Sequence, residues 1–266
     1  MEVAFEERGD GPPIVLLHGL TATRRYVVMG SSALPRAGYR VISYDARGHG
    51  ASPPARDPAA YRYEDLVEDL AELLDRLEIP RAVLAGSSMG AHTALGLALG
   101  APERVCGLVL ITPAFDPEID DSARLARWDA LAEGLRRGGV EGFMAAYPLD
   151  SLQEPWRASV ERAIRQRMGE HEHPLAVADA LQAVPRAAPF ERWAQLGAIE
   201  VPCTVVADRD EADPEHPLAV GERYAQTIPG ARLVVEDAGP PPRSPIAWQG
   251  GQLSRVIAEL AEQSAP

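Results

Sequence analysis

The sequence predicts an α/β fold: a mostly parallel sheet flanked by helices and interrupted by one helical insertion. Three observations carry that expectation. Short unbroken apolar runs recur at residues 14–17, 41–44, 82–85, 107–111 and 203–207, the pattern of strands buried on both faces, as in a parallel sheet. Helical periodicity lies between them, with Leu66, Val67, Leu70, Leu73, Leu74 and Leu77 on one face of residues 63–77. The strand signal then vanishes over residues 113–200 and returns at 201. The expected organisation is therefore a core formed by residues 1–112 and 201–266, with a helical insertion at 113–200.

Taken in order, residues 2–6 suit a first edge strand, and Gly9-Asp10-Gly11-Pro12-Pro13 is a turn cluster. Strand 14–17 runs into His18-Gly19-Leu20, and strand 41–44 into Asp45-Ala46-Arg47-Gly48-His49-Gly50-Ala51-Ser52. The polar groups of that second segment read as turn-stabilising. Strand 82–85 enters Gly86-Ser87-Ser88-Met89-Gly90, and a small apolar helix follows at 91–99. This is G-x-S-x-G in a strand–turn–helix context, the setting of a nucleophile elbow. The turn would hold Ser88 in a strained conformation with its hydroxyl above the sheet. Gly86 and Gly90 are small where strand and helix pass closely, and the Met89 N–H at the helix N-terminus is placed to hold an oxyanion.

In the insertion, Leu125, Trp128, Leu131 and Leu135 recur at helical spacing, and residues 139–147, 154–169 and 173–184 read as short helices broken by Gly and Pro. Trp128, Phe143, Met144, Tyr147, Trp156 and Trp193 are candidate pocket linings but read first as core of the insertion. His171-Glu172-His173 reads as an exposed polar turn before Pro174 rather than a metal pair. Beyond strand 203–207 come Asp208-Arg209-Asp210, a helix opened by His216-Pro217, a last strand at 231–235 and a closing helix at 249–263.

Composition narrows the partners. A chain of 266 residues, 46% hydrophobic and 24% charged, builds a sizeable core without disulfides or metals. A net charge of −13 argues against nucleic acid and anionic membrane surfaces, which call for basic patches. Cys106 and Cys203 belong to no ligand cluster, so they read as buried, reduced thiols, consistent with a cytoplasmic protein. Residues 1–7 lack a signal-peptide core, and no apolar run approaches a membrane span. No cofactor is implied, since Gly86–Gly90 lacks dinucleotide-binding spacing.

His18-Gly19, the segment from Asp45 to Ser52, and Gly86-Ser87-Ser88-Met89-Gly90 stand in the order and spacing of the α/β-hydrolase fold, and the chain resembles that family over residues 1–112 and again from about 201. The resemblance implies an eight-stranded sheet and a helical cap over the site. It implies a second oxyanion donor in the N–H of Leu20 and a triad acid at Asp210, with Asp213 as runner-up. It also implies a histidine directly after Gly239, where this chain has Pro240, and no histidine follows His216. Serine is a poor nucleophile without an adjacent base. Three readings follow. A substitute base acts: His216 by proximity to the acid loop, although His-Pro also recurs there in members with the usual histidine, or less readily His92 or His18. Alternatively, the enzyme works without an imidazole base: Asp210 or a water serves, or the reaction is a lyase or isomerase step that needs only an oxyanion hole and a pocket. Or the fold is kept as a ligand-binding pseudoenzyme. The expected function is a carboxylic-ester-type hydrolase acting through Ser88 on a small, mostly apolar ester, thioester or lactone.

Overall fold

The structure, a computed structural model, describes residues 1–119, 122–152, 154–208, 215–235 and 250–264. Seven strands form one sheet: β1 (Phe5–Arg8), β2 (Pro13–Leu17), β3 (Arg40–Tyr44), β4 (Ala82–Ser87), β5 (Val105–Ile111), β6 (Cys203–Ala207) and β7 (Arg232–Val235). Their order is β1-β3-β2-β4-β5-β6-β7. β1 runs antiparallel to β3, and every other neighbouring pair is parallel. The sheet thus has seven strands among the described residues rather than eight. The stretch before the Gly9–Pro12 turn pairs once, Phe5 to Arg8 against Tyr44 to Val41, and so supplies a single edge strand, three residues later than the sequence reading placed it.

Eight helices accompany the sheet among the described residues: α1 (Ala33–Arg36), α2 (Tyr63–Arg76), α3 (Met89–Gly100), α4 (Ser122–Ala146), α5 (Glu154–Met168), α6 (Pro174–Ala183), α7 (Leu218–Thr227) and α8 (Gly250–Gln263). Alternate residues of each central strand enter different cores. Ile14, Leu16, Val83, Ala85 and Val109 pack with Leu34 of α1 and with Leu253, Ile257 and Leu260 of α8. Val15, Leu17, Leu84, Leu108 and Leu110 pack with α2, α3, Tyr224 of α7 and the insertion. Both faces are covered, which is why β2, β4 and β5 read as continuous apolar runs instead of alternating ones.

The insertion is helical throughout its described elements. The two helices expected at 125–135 and 139–147 are limbs of one element, α4, which breaks at Gly138 and at Gly139, where φ is 59°. A methyl on Gly134 would stand 2.4 Å from the carbonyl oxygen of Gly142, and one on Gly142 2.0 Å from that of Gly134. The limbs therefore pack backbone against backbone, an approach that only glycine allows. Leu131, Leu135, Phe143 and Met144 are buried, as is Trp193 farther on, so these side chains form core. Trp128, Tyr147 and Trp156 are half-buried. Cys203 is buried and Cys106 only partly so. Among the described residues, no helix is long and apolar enough to cross a membrane.

One buried ion pair fixes the turn after β3. Arg47 donates from Nε and Nη2 to the two carboxylate oxygens of Asp69 at 2.6 and 2.8 Å, and from Nη1 and Nη2 to the carbonyls of Ala60 and Asp65, both at 2.9 Å. Asp69 is 1% exposed. Removing one partner of such a pair strands a charge in the core. Asp69→Ala is therefore expected to lower the unfolding free energy by about 3–5 kcal/mol, measured by urea denaturation against wild type.

Candidate active site

The elbow is built by close approach. β4 ends at Ser87, α3 begins at Met89, and Ser88 between them has φ 50° and ψ −110°, a region that non-glycine residues visit only when the surroundings impose it. A methyl on Gly86 would stand 2.2 Å from the carbonyl oxygen of Gly90, and one on Gly90 2.2 Å from that of Leu17. No side chain fits at either position, so β2, β4 and the first turn of α3 meet backbone to backbone. The Ser88 N–H donates to Ile111 O at 2.9 Å, and its carbonyl accepts from His92 N at 3.1 Å. These bonds fix Ser88 at the carboxyl edge of the sheet, the usual place for ligands in open α/β folds.

Two further sequence candidates arrive at Ser88 from other strands. A methyl on Gly19 would lie 3.6 Å from Cβ of Ser88, so the loop carrying Leu20 runs alongside the elbow. From the stretch between β6 and α7, Nε2 of His216 lies 2.8 Å from Oγ of Ser88, within hydrogen-bond reach. Of the three substitute histidines weighed from sequence, His216 is the one that meets the serine, while His18 and His92 are seated elsewhere. Asp210 and Asp213 lie outside the described residues, as does the loop containing Pro240. Asp208, one residue past β6 and 8% exposed, is a buried carboxyl group at the same edge that the sequence reading passed over in favour of Asp210.

The other buried imidazoles hold backbone. His18 donates from Nδ1 to Gly19 O at 2.8 Å, and its Nε2 accepts from Ala46 N at 2.9 Å. His49 sets Nε2 against Leu20 O at 2.8 Å and Nδ1 against Arg47 O at 2.9 Å. His171 accepts at Nδ1 from Gly50 N at 2.9 Å and faces Thr21 O with Nε2 at 3.3 Å. The exposed turn expected at His171 is thus a buried contact, 8% exposed. The reason is tertiary: the turn between α5 and α6 lies on the loops after β2 and β3. His92 accepts at Nε2 from Ala114 N and Phe115 N, each at 3.3 Å, which leaves its proton on Nδ1 to donate to Tyr63 Oη at 3.0 Å. Its ring lies 6.3 Å from those of Tyr224 and Phe115, beneath an aromatic group completed by Phe190 and Trp193. Among the described residues, no group of three or more His, Cys, Asp or Glu side chains could hold a metal ion.

Burial dominates the titration of these rings. It pushes His18, His92 and His171 down to about 3, helped by His49 at His18 and His171 and by His216 and Arg124 at His92. His49 is lowered for the same reason, against the opposing pull of its two carbonyl partners. In the unfolded chain such rings titrate near 6.5. Between about pH 6.5 and pH 3 the unfolded chain takes up protons that the folded chain refuses, so stability is full above that window and falls as the pH drops through it. Each ring adds up to about 1.4 kcal/mol per pH unit to the slope. Urea denaturation at pH 7, 6, 5 and 4 is expected to show the decline, and His92→Gln is expected to flatten it by about one ring's share.

With this geometry in view, the comparisons are consistent. The family model described as the alpha/beta hydrolase fold matches residues 12–241. A protein of Variovorax paradoxus named as a candidate carbamate hydrolase, RutD, is 32% identical over 80% of this chain and 79% of its own. A Bacillus subtilis protein named as a candidate 2-succinyl-6-hydroxy-2,4-cyclohexadiene-1-carboxylate synthase is 29% identical over 89% and 86%. The solved structure of a thermophilic esterase from Thermogutta terrifontis superposes with a TM-score of 0.77 at 27% identity, covering 99% of this chain and 94% of the esterase. Sheet order, elbow and family match agree, and the chain belongs to the α/β-hydrolase fold family.

Proposed function

We propose that the chain is a serine hydrolase of small, mostly apolar ester, thioester or lactone substrates, with His216 in place of the usual histidine. The observation that carries this reading is the 2.8 Å approach of His216 Nε2 to Ser88 Oγ at a residue held in a strained elbow. A base within hydrogen-bond reach is what a serine nucleophile requires. Oγ attacks the carbonyl carbon as its proton passes to Nε2. The resulting oxyanion lies between the N–H groups of Leu20 and Met89. As the tetrahedral species collapses, the imidazolium returns the proton to the leaving oxygen or sulfur, and water then cleaves the acyl-enzyme by the same steps in reverse. Asp210, or failing it Asp213, orients the imidazole from the loop after β6.

The helices of residues 113–200 act as a cap that limits water and shapes the acyl pocket. One solved neighbour is named an esterase and one relative a candidate carbamate hydrolase, names that agree with this chemistry. The overall charge of −13 disfavours anionic substrates approaching from solution.

One observation favours a second reading. The Bacillus relative, by its name a synthase, is matched over most of the chain, and the same oxyanion donors suit an elimination. That reaction forms no acyl-enzyme. Labelling with a fluorophosphonate probe separates serine catalysis from a binding protein: wild type is expected to be labelled at Ser88, Ser88→Ala not at all, and His216→Gln more slowly by on the order of a thousandfold. An unlabelled wild type ends the serine reading. Intact mass spectrometry with a slowly turned-over ester then distinguishes hydrolysis, which adds the acyl mass, from elimination, which adds none.

A further inference from the structure

Three consecutive carbonyls of the loop after β2 each face a different imidazole. Gly19 O accepts from His18 Nδ1 at 2.8 Å, Leu20 O faces His49 Nε2 at 2.8 Å, and Thr21 O faces His171 Nε2 at 3.3 Å. The rings adjoin, with centroids 5.1 Å apart for His18 and His49 and 5.6 Å for His49 and His171. The Gly19 carbonyl belongs to the same peptide unit as the Leu20 N–H. In a trans peptide the two groups point in opposite directions, so drawing Gly19 O toward His18 aims the Leu20 N–H the other way. The next two carbonyls are held in turn, which leaves the loop little freedom to rotate that donor.

Two of these rings come from segments already noted beside the site, but the third comes from the insertion. His171 sits between α5 and α6 and does not stand alone. The neighbouring Glu170 accepts from Thr23 Oγ1 and Tyr26 Oη, both at 2.9 Å, and Glu172 N donates to Gly50 O at 2.9 Å. Residues 170–172 therefore grip the loop 21–26 and the turn at Gly50 from above. Accepting from Gly50 N while donating to Thr21 O requires a neutral imidazole with its proton on Nε2.

We propose that His171 is a positioning residue: from the helical insertion, it holds the loop that aims the Leu20 N–H at the oxyanion, so that seating the insertion completes the oxyanion hole. The proposal rests on the serine-hydrolase reading for what the loop does, though not for what holds it.

The test uses the full-length chain and two readouts. The first is the rate of Ser88 labelling by a fluorophosphonate. Loss of an oxyanion donor costs a hundredfold or more. Misaiming one is expected to slow His171→Phe by roughly tenfold or more, while His171→Gln, whose amide can both accept from Gly50 and donate to Thr21, recovers most of the rate. His173→Ala, two residues away at the start of α6 and making no side-chain cap bond there, is expected to label like wild type. The second readout is amide hydrogen exchange of the peptide spanning residues 19–23, expected to quicken by about tenfold in His171→Phe and to return toward wild type in His171→Gln. If His171→Phe does not fold, His171→Asn replaces it in both readouts, since its shorter side chain cannot bridge Gly50 and Thr21. Wild-type labelling and exchange rates in a folded variant of either kind overturn the proposal. An unlabelled wild type overturns the serine reading instead, and exchange at residues 19–23 still decides whether His171 holds the loop.

Discussion

Everything at the carboxyl edge of this sheet depends on the absence of side chains at Gly86 and Gly90. A methyl at either place would fall 2.2 Å from a carbonyl oxygen, well inside van der Waals contact. The missing atoms let α3 start directly against β2 and β4. That forces the connecting residue into positive φ, and a residue so placed projects its side chain away from the strand instead of into the sheet. Ser88 is the residue in that position, at φ 50°. Strain of this kind, of order 1–3 kcal/mol, persists because the surrounding contacts over-determine it: the bonds from Ser88 N to Ile111 O and from His92 N to Ser88 O leave the turn no other path.

A second constraint works beside the first. Asp45 is wholly buried and draws three segments together. Its carboxylate accepts from Arg24 N at 2.7 Å and Ala51 N at 3.1 Å and pairs with the Arg24 guanidinium, while its carbonyl accepts from Ser52 Oγ at 2.6 Å. Gly50, at φ 50°, passes so close that a methyl there would meet Oδ2 at 2.2 Å. The turn after β3 and the loop after β2 are thus fixed to each other by a buried charge whose partners are mostly backbone. The helical insertion then docks on the surface they form. Polar burial on this scale is stable only when every group is answered, and the histidines at positions 18, 49 and 171 answer much of it.

What the sequence conveyed followed from how local each signal is. Continuous apolar runs identified β2 to β6 because burial on both faces writes itself into consecutive residues, and the glycine spacing around Ser88 gave the elbow because its sterics lie within five residues. The bounds of the edge strand β1 were less legible, because with Glu6 and Glu7 exposed it leaves little apolar trace. The hairpin in α4 was hidden because Gly134 and Gly142 matter only to each other. His171 read as an exposed turn because its neighbours Glu170, Glu172 and His173 are polar. Only the meeting of that turn with Gly50 and Thr21, more than a hundred residues away in sequence, shows the ring to be buried. The approach of His216 to Ser88 is of the same non-local kind, spanning 128 positions.

Sheet order explains why a histidine from the β6 loop can stand where one from the β7 loop would usually be expected. Neighbouring strands are spaced by about 4.8 Å. In the order β4-β5-β6-β7, the end of β6 therefore stands roughly 10 Å from that of β4, and the end of β7 roughly 14 Å. A residue on the β6 connection has less distance to cover, and β5, lying between, ends at Ile111 and turns away at Thr112, where φ is 46°. His216, between β6 and α7, therefore reaches Ser88 without any change in the sheet. On the proposed reading, base and acid then share a single connection, so whatever moves that connection moves both together. Pro240, which supplies neither an imidazole nor an N–H, removes nothing that such an arrangement needs.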